Sequence, residues 1–460
     1  MHEKKIFKRL AVYLVVVGVL FGIYNNIASK IPISYWDEMI WVGRSYFFDY
    51  YIKGDFNDRV WRSYQSYDQP KLAEYMYGAW LYPRYLSDKS KEKDLSFDYT
   101  KYLISRGYYM IDESFNGKYI EYYKQMMSQT VVVEETESGS RDYYYEKYGD
   151  RVLKTVDLVL YSRKINIVWL ILTVIVVYKI FSFGISERLS LILAFGYGLN
   201  NLVTISTLKA HSEALFLLLF NSCLLMLLMF FKYRRLVYLI LFSVLAGLCT
   251  ATKLNGIMLL PIFLIANLIR NDKRNKWVKY IISGLIVLLI SLSIFFFINP
   301  FLFPDPINNV KLLYGYRNMT ANLQSIMFPE AYLGSPLVRF WAIFRNFFGN
   351  GLAMKFNGMY SISTMSSFYS IVIFVLFIAG ILREIIKAFS GDKFRITIMA
   401  FFGLVMLFMC YYLVLDWERY YIQLVMFIYY YEFVGLIFFI KFFAGMIQRK
   451  RAEIFVQKIV

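Results

Sequence analysis

The sequence predicts an all-α integral membrane protein, and three observations carry that reading. Apolar runs close to 20 residues recur along the chain, the length at which a helix crosses a hydrocarbon core of about 30 Å. Charged residues make up only 18% against 58% hydrophobic, too few to clothe a soluble fold, which averages about 25% charged. Lys and Arg gather in short segments between the runs, as the positive-inside rule expects.

The first run, 10–28, follows a short basic segment and predicts a retained helix over 1–30 with its N-terminus in the cytoplasm. A cleaved signal peptide is the rival; the run is long for one, and Asn25, Asn26 and Lys30 do not make a small-residue cleavage site. A large external loop, 31–164, comes next. It opens with an interfacial helix over 36–52. A helix through Tyr82 follows, with Asp68 as its N-cap and Pro70 in its first turn. A small extramembrane insert from Arg84 to Arg151 is Tyr-rich and mixed in charge, with a strand at Val131 to Val133.

Runs at 165–181, 189–207, 214–231, 236–251, 257–269 and 280–298 form a helix bundle over 165–298. A second external loop, 299–366, carries an amphipathic stretch over 337–348 with Arg339 and Arg345 set among aromatics. That pattern suits an interfacial helix that covers the site as a lid. Runs at 368–386, 396–415 and 421–443 fill the last segment, 367–460, which ends in a basic cytoplasmic tail. Together the runs predict about ten spans.

The net charge of +18 raises nucleic acid as a partner, but its distribution argues against one. Most acids lie between Trp36 and Arg163, mixed there with bases. The basic excess falls in cytoplasmic connections carrying Arg188, Lys232, Arg234 and Arg235 and the segments 270–279, 383–395 and 448–451. Cys223, Cys249 and Cys410 sit singly in apolar runs and read as packing residues. With His2 and His211 the only histidines, a His-rich metal site is excluded. A divalent metal stays open as a cofactor, without a ligand motif to name its residues.

This topology puts Asp37, Glu38, Asp68, His211, Glu213, Lys253, Asn299, Asp305, Asp416, Glu418 and Arg419 at helix ends on one external face. The pair Asp37-Glu38, just past the first apolar run, has two readings. Acids in a first turn after Ser34 favour the helix dipole in a capping-box-like start. Alternatively, one carboxylate is a general base on a hydroxyl nucleophile.

Short motifs at these ends bear a resemblance. They are Ser212-Glu213-Ala214-Leu215, Lys253-Leu254-Asn255-Gly256, Asn299-Pro300-Phe301-Leu302 with Pro304-Asp305-Pro306, and Asp416-Trp417-Glu418-Arg419-Tyr420-Tyr421. With Asp37-Glu38 in the first loop, their order resembles the GT-C polytopic glycosyltransferases, nearest to protein O-mannosyltransferases and lipid A aminoarabinose transferases. The resemblance covers most of the chain outside the insert. It implies a polyprenyl-phosphate-linked sugar as donor, a hydroxyl acceptor on protein, lipid or wall glycan, and transfer on the non-cytoplasmic side. It also implies Asp37 as the catalytic acid/base residue with Glu38 beside it in the pocket. Asp68-Gln69-Pro70 stands where the family carries a His-Pro-Pro or Glu-Lys-Pro motif, so a metal role does not transfer. The Trp-Trp-Asp motif of oligosaccharyltransferases is absent, which argues against en bloc transfer to Asn.

That chemistry needs cations on the departing phosphate, and Arg44, Lys71, Lys209, Lys253 and Arg419 are the candidates. Asp68, Gln69, His211, Glu213 and Tyr420 are candidate pocket residues. Plain structural readings stand beside these: Lys253 snorkelling to headgroups, Arg419 paired locally with Asp416 or Glu418, His211 in an exposed turn. The rival functions are a transporter or flippase of a lipid-linked sugar, working without bond-making, and an inactive scaffold. A transporter is expected to show internal repeats and mid-membrane charges.

Overall fold

The computed structural model describes residues 2–90, 99, 102–103, 138–139, 150–269, 277–348 and 367–457. The chain is all-α and of membrane type. Helix α1 (His2–Lys30) leads into a two-residue strand β1 (Ile33–Ser34) and α2 (Tyr35–Gly43). A 3-10 turn, α3 (Phe47–Lys53), α4 (Tyr64–Asp68) and α5 (Leu72–Lys89) follow. Strand β2 (Ser138–Gly139) pairs antiparallel with β1 and ties the insert to the start of α2. The strand expected at Val131 to Val133, and most of the insert from Arg84 to Arg151, lie outside the described residues.

The bundle proper is α6 (Asp150–Phe181), α7 (Glu187–Gly198), α8 (Asn201–Leu208), α9 (Glu213–Tyr233), α10 (Leu236–Thr252), α11 (Leu259–Ile269) and α12 (Trp277–Ile298). Then come α13 (Pro306–Met327), α14 (Pro336–Phe348), α15 (Ser367–Phe389), α16 (Lys393–Tyr412) and α17 (Ile422–Gln457).

Local chemistry sets several boundaries. Asn200 caps α8 by accepting from Val203 N at 3.2 Å, and there the α7–α8 pair bends by 57°. Asp305 caps α13 with Pro306 at its first position. Asp392 caps α16, accepting from Phe394 N and Arg395 N after Gly391 has taken a φ of +87°. Helices α15 and α17 pack through Gly380 and Gly435. A Cβ built on either would lie 1.9 Å from a carbonyl oxygen of the facing helix, so only glycine permits that approach.

Among the described residues, five helices are long and apolar enough to cross a membrane, or six when the bent α7–α8 pair counts as one span. The runs at 236–251 and 257–269 form shorter apolar helices, as does the apolar part of α1 (Leu14–Lys30). The expected count of about ten is therefore not what length and composition give. Two expectations are corrected. The stretch 36–52 does not lie as one helix along an interface: α2, the turn and α3 pack inward, with Val42, Arg44, Ser45, Tyr46, Phe47 and Asp49 buried. Asp68 caps nothing, since it ends α4, and α5 starts at Leu72. The amphipathic helix expected over 337–348 forms as α14, with Ala342, Ile343 and Asn346 buried and Leu337 and Trp341 exposed.

Candidate functional site

The site begins at the first turn of α2, where consecutive carboxylates part company. A helix advances about 100° per residue, so Asp37 and Glu38 face different neighbours. Glu38 turns inward and is fully buried. Its Oε1 accepts from Arg163 Nε at 2.8 Å and Ala210 N at 2.7 Å. Its Oε2 accepts from Arg163 Nη2 at 2.6 Å and Ser34 N at 3.0 Å. Arg163, from α6, gives its remaining donors to the carbonyls of Ala28, Ile31 and Pro32 at the end of α1.

Every acceptor site of the carboxylate and all five guanidinium donors are thus engaged. Burial pushes the Glu38 carboxyl up, but Arg163 outweighs it and holds it below the usual range. Glu38, expected beside Asp37 in the pocket, is here a clamp between α1, α2, α6 and the turn before α9. It also takes the Ser34 backbone N–H that a capping box would give to Asp37, while the Ser34 side chain caps nothing.

Asp37 faces the other way and is about a third exposed. It forms an ion pair with Arg419 of the 3-10 turn before α17. His211 Nε2 lies 3.6 Å from its Oδ2, and His211 Nδ1 lies 3.5 Å from Glu213 Oε2 at the start of α9. Lys253, ending α10, donates to Glu213 Oε1 at 2.9 Å, and Arg419 Nε stands 3.9 Å from the same oxygen. Aromatic faces hold the cations in place. Lys253 sits 4.8 Å over Tyr420, and Arg419 lies 4.9 Å over Trp417 and 5.7 Å over Tyr420. Lys209 is buried nearby, its ammonium pushed down by burial against the attraction of Glu38 and Asp37.

Asp37 and Glu213 oppose Lys209, Lys253 and Arg419, and burial pushes the His211 imidazolium down against the pull of both carboxylates. With the ring neutral, the group carries one excess positive charge and favours an anion. Burial raises the Asp37 carboxyl, but Arg419, His211 and Lys209 together hold it well below the ordinary carboxylate range.

The other expected residues form a second group around α5. Asp68 pairs with Arg44 at 2.6 Å and Arg317 of α13 at 3.4 Å. Lys71 pairs with Glu74 at 3.0 Å and covers the Phe47 ring at 4.5 Å, both charges wholly buried. Burial pushes Glu74 up to about 7 against Lys71 and Arg44, and pushes Lys71 down to about 8 against Glu74. Asp68, raised by burial but pulled further down by Arg44 and Arg317, falls to about 2. Lys71 and Arg44, expected on the donor phosphate, stand in this second group, paired with Glu74 and Asp68. Gln69 lies in the extended link between α4 and α5.

Asp416 is buried and binds Arg345, Asn346 Nδ2 at 2.5 Å and the Tyr421 hydroxyl at 2.6 Å, so it docks α14 onto the start of α17. Asp305 is an exposed cap. Among the described residues no three His, Cys, Asp or Glu side chains converge as a metal site would require.

Sequence reasoning missed Arg163, Glu74 and Arg317, and it named Arg345 only as part of an amphipathic helix, not as the partner of Asp416. Arg163 reads as an ordinary basic flank of an apolar run, and only its partner, 125 positions away, marks it out. No protein-family model matches the chain, and neither does any curated protein or solved structure.

Proposed function

We propose that this is an integral-membrane glycosyltransferase that moves one sugar from a polyprenyl phosphate to a hydroxyl acceptor. One observation carries the reading. Asp37, His211, Glu213, Lys253 and Arg419, drawn from segments up to 382 positions apart, gather into one partly exposed, net-positive cluster. A carboxylate for an alcohol and cations for a departing phosphate are the groups that glycosyl transfer from a lipid phosphate requires.

On this reading the acceptor oxygen attacks the anomeric carbon, the carbon–oxygen bond to phosphate breaks, and phosphate leaves with the electron pair. Arg419 and Lys253 hold the phosphate oxygens, and Asp37 receives the hydroxyl proton. A cavity of about 700 Å³ beside α14, walled by Leu333, Val338, Trp341, Phe344, Phe348 and Phe374, suits the isoprenoid tail. Arg345 stands at that cavity and binds Asp416, three positions before Arg419. We place the cluster on the external side, with both termini cytoplasmic and the shorter apolar helices completing about ten crossings.

The test presents purified protein in liposomes with a panel of polyprenyl-phosphate sugars and follows release of polyprenyl phosphate, with Asp37→Asn in parallel. Turnover that drops at least about 100-fold in the variant is expected. Donor translocation without bond cleavage would favour the flippase, and undiminished turnover in Asp37→Asn would remove Asp37 from the chemistry.

A further inference from the structure

His211 is buried with both ring nitrogens lacking a hydrogen-bond partner, although each faces a carboxylate oxygen, Asp37 at 3.6 Å and Glu213 at 3.5 Å. Its backbone, by contrast, is firmly held. The His211 carbonyl accepts from the Tyr77 hydroxyl at 2.7 Å, and the His211 N–H donates to Lys209 O at 2.8 Å. A ring fixed at its base and unbonded at both nitrogens serves no packing need that an apolar side chain would not serve better, because buried polar atoms normally find partners.

The geometry has a specific mismatch. A neutral imidazole donates from one nitrogen only, so between two carboxylates the other turns a lone pair onto an anion. A single added proton removes the conflict, letting both nitrogens donate. We propose that His211 is the proton sink of the transfer reaction, drawing the acceptor's proton from Asp37 onto Nε2 while Glu213 steadies the imidazolium through Nδ1.

This rests on the glycosyltransferase reading and deepens it. The sequence of bonds balances: the hydroxyl O–H bond breaks as the new glycosidic bond forms, the proton passes to Asp37 and then to Nε2, and the phosphate departs with its electron pair. Because His211 touches the reaction through Asp37, it is a positioning and relay residue.

The groups facing His211 come from every side. Asp37 lies on α2, Glu213 on α9, Arg419 on the turn before α17, Lys253 at the end of α10 beyond Glu213, Lys209 two positions back, and the Glu38–Arg163 pair behind Asp37. The carboxylates favour the imidazolium, while Arg419 and burial oppose it. The ring therefore begins neutral at pH 7, as an acceptor of protons must.

The experiment measures kcat against pH, and the solvent deuterium isotope effect, for wild type, His211→Gln, His211→Asn and Glu213→Gln. Each protein is first matched to wild type by size-exclusion profile and melting temperature. The expected result is an acid limb in wild type where His211 becomes charged before the reaction. Both His211 variants should lose that limb, lose most of the isotope effect and fall about 100-fold in kcat. Glu213→Gln should keep the limb but move it to lower pH, because the imidazolium has lost a stabilising anion.

His211 variants that are slow yet keep the wild-type pH profile and isotope effect would reduce the residue to a structural role. So would variants at full speed. Wild-type activity abolished by a chelator and restored by a divalent cation, with His211→Gln insensitive to both, would replace the relay with a metal site. If wild type cleaves no donor at all, the functional reading fails and takes the relay with it, an outcome distinct from the others.

Discussion

Replacing Arg163 with Met should cost several kcal/mol of stability, on the order of 3–5 for the stranded charge alone. The substitution keeps most of the side-chain volume, so the cavity contribution is small and the loss is electrostatic. It strands Glu38, fully buried, beside two backbone N–H groups that donate to it but bring no net charge. Breaking a buried pair from one side costs about 3–5 kcal/mol. The carbonyls of Ala28, in the last turn of α1, and of Ile31 and Pro32 just past it lose their donor as well. Each adds about 1 kcal/mol where water does not replace the guanidinium.

The double variant with Glu38→Met removes the stranded charge. Its loss should fall at least about 2 kcal/mol short of the sum of the two single losses. The pH dependence follows from the same pair. In wild type the Glu38 carboxyl is held down, so its contribution is present above the unfolded value and lost as pH falls through the folded one. In Arg163→Met the lone carboxyl can protonate, so the penalty should shrink as pH falls from 8 to about 5. Steric-trapping or denaturant unfolding in detergent measures all four proteins. A single-variant loss under about 1 kcal/mol, or additive effects of the two substitutions, would refute the assignment of Glu38 as a clamp.

Two further outcomes separate buried from exposed contributions. Glu74, whose folded value of about 7 lies above its unfolded one, should make stability fall as pH rises from about 4.5 to 7. Lys71, pushed down to about 8, should restore stability as pH rises from about 8 to 10.5. The difference between wild-type and Glu74→Gln melting curves isolates the first slope, and parallel curves across that window would count against it. At the α14 anchor, Arg345 is half exposed, so Arg345→Ala should cost no more than about 1 kcal/mol. Asn346→Ala, which leaves buried Asp416 short of a donor, should cost about 1–3 kcal/mol by the same unfolding assay. The reverse order would contradict the packing.

The gathering of Asp37, His211, Glu213, Lys253 and Arg419 was legible because each stands at the end of an apolar run. Alternation of basic connections sorts such ends to one side before any contact is known. The division of labour between Asp37 and Glu38 was not legible. Adjacent acids look alike in sequence, and their fates depend on which neighbour each meets after a turn of about 100°. Lys71 and Arg44 read in the sequence as candidate cations for a phosphate. Helix α5, packed against α2 and α3, encloses them with Asp68 and with Glu74, a residue that carried no motif. The span count turns on length: 14–30, 236–252 and 254–268 form apolar helices too short to pass as spans by length and composition, and hydropathy in addition sees the run 189–207 as continuous where the Asn200 cap bends it. Membrane class, set by totals, survives such local misreadings.

The resting site poses a difficulty for its own chemistry, and Arg419 resolves it. Asp37 is ion-paired and held well below the ordinary carboxylate range, so in this state it is a weak base. Arg419 is its closest partner, and the guanidinium is about a quarter exposed and stacked on Trp417 rather than locked into a closed fork like that of Arg163. On the proposed function, a lipid phosphate reaching the cluster offers Arg419 a stronger anion. As the guanidinium turns to the phosphate, the main influence depressing Asp37 weakens, so the base strengthens only once the donor is in place.

Arg419→Met tests this directly. Losing a charge-assisted contact of about 1.5–3 kcal/mol should raise the donor KM about 10- to 100-fold. The Asp37 carboxyl, freed of its partner, should become more reactive to a carbodiimide in the absence of donor. In wild type the same reactivity should appear only after a non-hydrolysable polyprenyl phosphonate is added. Equal Asp37 labelling in wild type with and without that ligand would show that the donor does not draw Arg419 away.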